Sequence, residues 1–221
     1  MIIVGAGIIG ASFAYHANKV GLREITVLSS DLPGEKNQAT SNTWGWINGY
    51  ARNDKSYADF RLANLNYWPK IINEISNLKV SSKGAFFWDL NNEELYQTIK
   101  QHKNWGQSVK ISTISELEDE LPNILNKPNE AGFGTNDLAI EGVSATKELF
   151  EASGAKIIKT NVRELVCENN NLVGVKTDKE IFQDEEVIIT AGLGAPKLLS
   201  TINIHFEMNS SLGLLVYTKP L

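Results

Sequence analysis

The chain has 221 residues, 42% of them hydrophobic, and a formal net charge of −5. That composition supplies a globular core for one large domain or two small ones, and no concentrated basic stretch marks nucleic acid or an anionic membrane surface as the main partner. A single cysteine, Cys167, excludes an internal disulfide, and three scattered histidines form no zinc-binding cluster, so no protein-bound metal is expected.

Residues 1–10 read as a short strand that runs into a glycine turn and then a helix. Gly5, Gly7 and Gly10 have separate jobs in a dinucleotide phosphate cradle. The first permits the tight turn, the second lets backbone approach a pyrophosphate, and the third lets the helix pack against its strand. The helix over residues 8–20 directs unpaired N–H groups and its positive dipole end at the anion. A second strand over 25–28 follows Gly21, completing one βαβ unit. The same opening resembles the apolar region of a signal peptide, but no basic residue precedes it and its glycines weaken such a helix. No stretch approaches the ~20 apolar residues of a membrane span. A soluble, cytoplasmic protein acting on a small molecule is the expectation.

A polar loop spans 29–43 and ends in Trp44-Gly45-Trp46-Ile47-Asn48-Gly49. Two indoles around a glycine let backbone approach a flat group while the rings wall it in; the alternative is that both tryptophans are core packing. Apolar residues at helical spacing predict a long helix over 57–78, kinked or broken at Pro69. Phe86-Phe87-Trp88 predicts a buried strand over 84–90, followed by a polar helix over 91–104. A strand over 109–112 precedes a short helix over 115–121, with Ser115 and Glu118 at capping-box spacing and Pro122 as its stop. Residues 123–136 read as a loop and 147–152 as a short helix.

From residue 156 the pattern becomes strand-rich. Ile157-Ile158 and residues 162–168 lead to an Asn169-Asn170-Asn171 turn, then to strands over 172–177 and 181–183, a β-meander. Cys167 in this run reads as a buried, inert thiol. Val187-Ile188-Ile189 predicts a strand buried on both faces inside a parallel sheet. Thr190-Ala191-Gly192 ends it, a helix passes through Lys197 and Leu199, and the last strand-like stretch is 212–218.

Taken together, residues 2–10, 25–28, 44–48, 84–88, 174–177 and 188–192 resemble, in order and spacing, the FAD-dependent oxidoreductases of the D-amino-acid oxidase and sarcosine oxidase group. The resemblance implies an α/β fold: a Rossmann-like FAD-binding domain with a β-meander, interleaved with a partial α+β substrate domain on an antiparallel sheet. It implies FAD as cofactor and oxidation of a C–N bond of an amino acid or amine, with hydride transfer to the flavin. It also implies a division into 1–80 (FAD domain, first part), 81–140 (substrate domain, first part), 141–204 (FAD domain, second part) and 205–221 (start of a return to the substrate domain). By the same resemblance Gly5, Gly7, Ile9 and Gly10 face the pyrophosphate, and Ser29 and Ser30 lie at the ribose. Thr40 and Ser41 occupy the loop crossing the cofactor, while Gly45, Trp46 and Ile47 approach the flavin ring. Val162 makes an adenine-side contact, and Thr190, Ala191 and Gly192 form a second close approach.

Three departures from the family pattern stand out. Ser29 occupies the position where the family has a ribose-binding acid; Asp31 nearby could take that part. The stretch 143–154 is short for the family helix that precedes the meander. The chain also stops where family members continue, so it reads as an N-terminal portion. Hydride transfer from a neutral amine needs no side-chain nucleophile, and the catalytic residue is unknown. Tyr50, Arg52 and Trp88 are conceivable substrate contacts, with core or surface roles as the alternative, and His16 reads as a surface or packing residue. Two rival functions remain open: an NADP-dependent dehydrogenase in which Ser29, Ser30 and Lys36 bind a 2′-phosphate, or a non-catalytic remnant or half of a split oxidase completed by a second polypeptide, with a sticky open sheet edge.

Overall fold

The computed structural model describes residues 1–50, 54–210 and 213–216. The chain forms two compact units, one of Met1–Thr43 with Gly142–Val216, the other of Trp44–Glu141. The first boundary thus falls after Thr43 rather than near residue 80, because the strand beginning at Trp46 pairs within the second unit.

In the first unit, β1 (Ile2–Val4), β2 (Thr26–Ser29), β7 (Lys156–Lys159) and β11 (Val187–Ile189) build a parallel sheet in the order β11-β1-β2-β7. Helix α1 (Ile8–Lys19) makes the β1–β2 crossover and packs on α5 (Gly142–Ser153). Ile3, Val27 and Leu28 are fully buried, each contributing about 1.5–3 kcal/mol. The meander forms as predicted from β8 (Val162–Glu168), β9 (Asn171–Thr177) and β10 (Ile181–Gln183). Its turn places Asn169 and Asn170 at φ 52° and 65°, a left-handed pair that asparagine tolerates better than most residues. Leu165 and Val175 of the meander and Leu198 of α6 (Ala195–Ser200) close over Ile2, Val4 and Leu28.

Three expectations fail in this unit. Strand β11 lies at the sheet edge and is only half-buried at all three residues, since it has one paired neighbour, β1. Cys167 is exposed: it is two residues from buried Leu165, but a register shift between Val166 and Cys167 interrupts the alternation that would have turned it inward. Residues 213–216 carry no regular structure, and the rest of the expected strand over 212–218 lies outside the described residues.

In the second unit the centre is β6 (Glu130–Ile140), most of which falls where the sequence predicts a loop. It pairs antiparallel with β4 (Val80–Phe87) on one edge and with β3 (Trp46–Ile47) and β5 (Val109–Thr113) on the other. Gly132 and Gly134 look like turn residues, yet a Cβ at Gly132 would lie 2.2 Å from the Phe87 ring and one at Gly134 would lie 2.5 Å from the Asp137 carboxyl. Glycine here makes room for large side chains on the sheet, as strand glycines often do. Strand β4 is less buried than predicted, with Phe87 its one buried residue.

Helix α2 (Lys55–Glu74) runs unbroken through Pro69. Leu65 and Ile71, buried on either side of the proline, hold it to the core, which offsets the lost backbone bond. Helix α3 (Asn92–Asn104) opens on a capping box between Asn91 and Glu94. Helix α4 (Ile114–Glu120) uses Thr113 and Glu116 rather than Ser115 and Glu118, with Thr113 N–H donating to Glu116 at 3.1 Å. No helix of the described residues is long and apolar enough to cross a membrane.

Candidate cofactor cleft and an aromatic corner

Parallel strands end their chains on one edge, and ligands of open α/β sheets bind there. In the first unit the carboxyl ends of β1, β2 and β11 open into a cleft of about 890 Å³, within the roughly 300–1,000 Å³ typical of ligand sites. Of the residues named from sequence, Gly5, Gly7, Ile9, Ser29, Ser30, Thr40, Val162, Thr190, Ala191 and Gly192 line it. Gly10 sits behind the wall: a Cβ there would lie 2.2 Å from the Gly5 carbonyl oxygen. Ser41 is not among the lining residues; its hydroxyl donates to the Glu35 carbonyl at 2.8 Å.

The two backbone corners meet because β1 and β11 are neighbours in register, Val4 opposite Ile189. Thr190 N–H donates to the Val4 carbonyl at 2.8 Å. The Thr190 hydroxyl lies 3.1 Å from the Val4 oxygen and 3.0 Å from the Gly5 oxygen, sharing its one proton between them. On the other side, Gly5 N–H donates to the Leu28 carbonyl at 2.9 Å and Ala6 N–H to the Ser29 hydroxyl at 3.3 Å. Ile8 N–H, in the first turn of α1, donates to the Thr40 hydroxyl at 3.1 Å. The turn is thereby held before any ligand arrives. Replacing Thr190 with valine removes the hydroxyl bond and leaves the two carbonyls without it, so we expect a loss of about 1–2 kcal/mol in chemical denaturation, restored by Thr190→Ser.

Ser29 thus accepts from the glycine turn, and that bond leaves its hydroxyl proton to donate elsewhere. Asp31 also lines the cleft and accepts from the Ser30 hydroxyl at 3.0 Å and the Asn37 amide at 3.1 Å, leaving lone pairs on both oxygens for further donors. Sequence reasoning missed Asn161, Arg163 and Lys197 as lining residues. Arg163 is engaged by Asp178. Lys197 follows the small-residue corner by one helical turn, and that spacing was its only signal.

Gly45, Trp46 and Ile47 belong to the second unit. Gly45 needs its φ of +66°, and a Cβ would fall 1.8 Å from the Ile140 carbonyl oxygen. Trp46 lines a cavity of about 730 Å³ with Trp44, Tyr50, Phe87 and Trp88 among its walls. Trp44 and Trp46 meet edge to face at 6.1 Å. Tyr50 and Trp88, named as conceivable contacts, both lie here; Arg52 lies outside the described residues. Beside the cavity, the Trp46 indole donates to the buried Asp137 carboxylate at 3.0 Å. Burial pushes Asp137 up to about 6, against the pull of the Trp46 indole, the Gly49 N–H and the Arg61 charge. In the first unit, His16 is half-buried and packs against Tyr15.

The family model for FAD dependent oxidoreductases matches residues 1–221. The chain belongs to this family. Its cofactor is FAD, and the structure carries the family's mix of a parallel sheet and antiparallel sheets. An uncharacterized oxidoreductase, YurR, of Bacillus subtilis (strain 168) is 29% identical over 94% of this chain and 59% of its own length. Monomeric sarcosine oxidase of Arthrobacter sp. (strain TE1826) is 24% identical over 94% of this chain and 55% of its own. Among solved structures, L-proline dehydrogenase from P. horikoshii superposes with a TM-score of 0.83 at 23% identity, over 94% of this chain and 56% of that one. Glycine oxidase from Bacillus cereus gives 0.76 at 20% identity, over 90% of this chain and 56% of that one. At such identities the likeness is one of fold. The chain spans somewhat more than half the length of the curated relatives it matches.

The cleft's residues fit the family cofactor. A side chain at Gly5 or Gly10 would meet backbone at 2.5 Å or less, and the first-turn residues Gly7, Ile8 and Ile9 line the space an anionic pyrophosphate would need.

Proposed function

We propose that the first unit holds FAD in the cleft at the ends of β1, β2 and β11, and that the chain forms part of an oxidoreductase acting on the C–N bond of an amino acid or secondary amine. The observation that carries this reading is the meeting of the Gly5–Gly10 turn and the Thr190–Gly192 corner on adjacent strand ends of one cleft. The sarcosine oxidase, glycine oxidase and proline dehydrogenase among the relatives support the substrate class. Bound flavin supplies the two-electron acceptor for a hydride leaving the carbon beside the substrate nitrogen, giving an imine that water hydrolyses.

On this reading the protein's residues bind and orient. Gly5, Gly7 and Gly10 let backbone reach the pyrophosphate, the α1 N-terminus offsets its charge, and Asp31 or Ser30 receives the ribose. Lys197 adds a cation to the cleft wall. Gly45, Trp46 and Ile47 belong to the second unit and shape its aromatic corner. One of the chain's relatives, 20% identical over 99% of this chain, is itself a subunit of an opine oxidase, from Agrobacterium tumefaciens (strain Ach5).

The test is the visible spectrum of the purified chain. We expect a yellow protein that releases FAD, rather than FMN, on denaturation. A colourless protein that cannot be loaded with FAD but binds NADPH would overturn the proposal.

A further inference from the structure

The corner at Trp46–Gly49 is tied down by polar bonds from distant parts of the sequence. Asp137 accepts from the Trp46 indole and from Gly49 N–H. Arg61 Nε donates to the Asn48 carbonyl at 3.3 Å and its Nη2 to the Asn48 side chain. The Gln107 amide donates to the Gly49 carbonyl. Asp137, Asn48 and Gln107 are 5%, 7% and 9% exposed.

Burying polar groups to this degree costs stability unless each is satisfied. Here the satisfied groups all converge on one short segment, and that segment presents Trp46 to the aromatic cavity. Gly134 is shaped to the same end, since a Cβ there would collide with the Asp137 carboxyl. The charged group acting on Asp137 is Arg61 of α2; its other neighbours, Trp46 and Gly49 of the corner and Gly134 of its own strand, are neutral.

We propose that Asp137 is the positioning residue of this corner: its ionised carboxylate holds Trp46 and Gly49 together through two bonds, and protonation weakens that hold. A carboxylate accepts both N–H groups with a full negative charge, whereas the neutral acid is a weaker acceptor and carries an O–H that needs a partner of its own. The indole and the Gly49 backbone then shift relative to each other. The role is a property of the second unit alone.

The experiment is a pH titration of the Trp46 indole N–H resonance in the intact chain labelled with ¹⁵N, assigned by its loss in Trp46→Phe. We expect the resonance to titrate with a midpoint within about one pH unit of 6, and to be flat in Asp137→Asn. A flat wild-type resonance, or a titration that persists in Asp137→Asn, overturns the proposal. Should Asp137→Asn not fold, Arg61→Gln takes its place: loss of that cation should move the midpoint upward, and an unmoved midpoint counts against the assignment.

Discussion

Gly5→Ala is expected to abolish flavin retention and to destabilise the first unit by on the order of 3 kcal/mol. Two effects add. Gly5 sits at φ +117°, a backbone state that costs an alanine roughly 1–3 kcal/mol. The new Cβ would also lie 2.5 Å from the Thr190 oxygen and 2.7 Å from the Thr190 carbonyl carbon. Those atoms are backbone of the neighbouring strand end, held by the Thr190 N–H bond to Val4, so relief requires parting β1 from β11. Overpacking of this kind costs about 1–3 kcal/mol, a large part of the ~5–15 kcal/mol that holds a domain together.

Two companion variants separate the causes. Gly21→Ala carries a similar backbone strain, at φ +94°, with nothing within 4 Å of the new atom; it should lower stability modestly and keep its flavin. Gly10→Ala brings the collision, 2.2 Å from the Gly5 oxygen, without an unusual φ, and should lose flavin as Gly5→Ala does. The measurements are flavin bound per chain and the midpoint of urea unfolding. Full flavin occupancy in Gly5→Ala would mean that the two corners do not clasp the cofactor.

The second large effect is a pH dependence of stability carried by Asp137. Burial raises this carboxyl from 3.8 to about 6 in the folded chain, so the folded state binds the proton more tightly than the unfolded state does. Stability from this group is therefore fullest below about 3.8 and is lost as pH rises through about 6. The difference corresponds to about 3 kcal/mol, an order-of-magnitude figure. Other carboxylates act in the opposite sense at lower pH: the Arg163 guanidinium holds the exposed Asp178 below its usual range, and hydrogen bonds from Ser56 and Tyr57 lower Asp54. The difference between wild type and Asp137→Asn isolates the single group. Urea unfolding from about pH 4 to about pH 7 should show the wild type losing stability relative to Asp137→Asn by about 3 kcal/mol. Parallel profiles would show that the carboxyl titrates as an ordinary one.

Elements governed by neighbours in the chain were legible from the amino acids. The Gly5-Gly7-Gly10 turn, the helix after it and the meander with its Asn169-Asn170 turn rest on local sterics and on hydrogen bonds a few residues long, which residue type specifies directly. The second unit shows where that legibility ends. Strand β6 reads as a loop because Gly132 and Gly134 are turn residues by composition, and only the rings and carboxyl stacked over them explain their presence in a strand. The capping box of α4 lies two residues from its expected place, since several Ser, Thr and Glu residues compete for it and the end of β5 decides among them.

What the amino acids alone determined is the local frame of the first unit: the order of the glycine turn, the two strands, the meander and the small-residue corner, in a chain that matches one family over its whole length. Tertiary structure decided the rest. It brought Thr190 against Gly5 across 185 residues of sequence, buried Asp137 beneath Trp46 across 91, and left β11 at an edge with Cys167 in the open. Such pairings depend on which surfaces meet after long loops close, and the entropy of that closure varies too slowly with length to reveal the partner in advance.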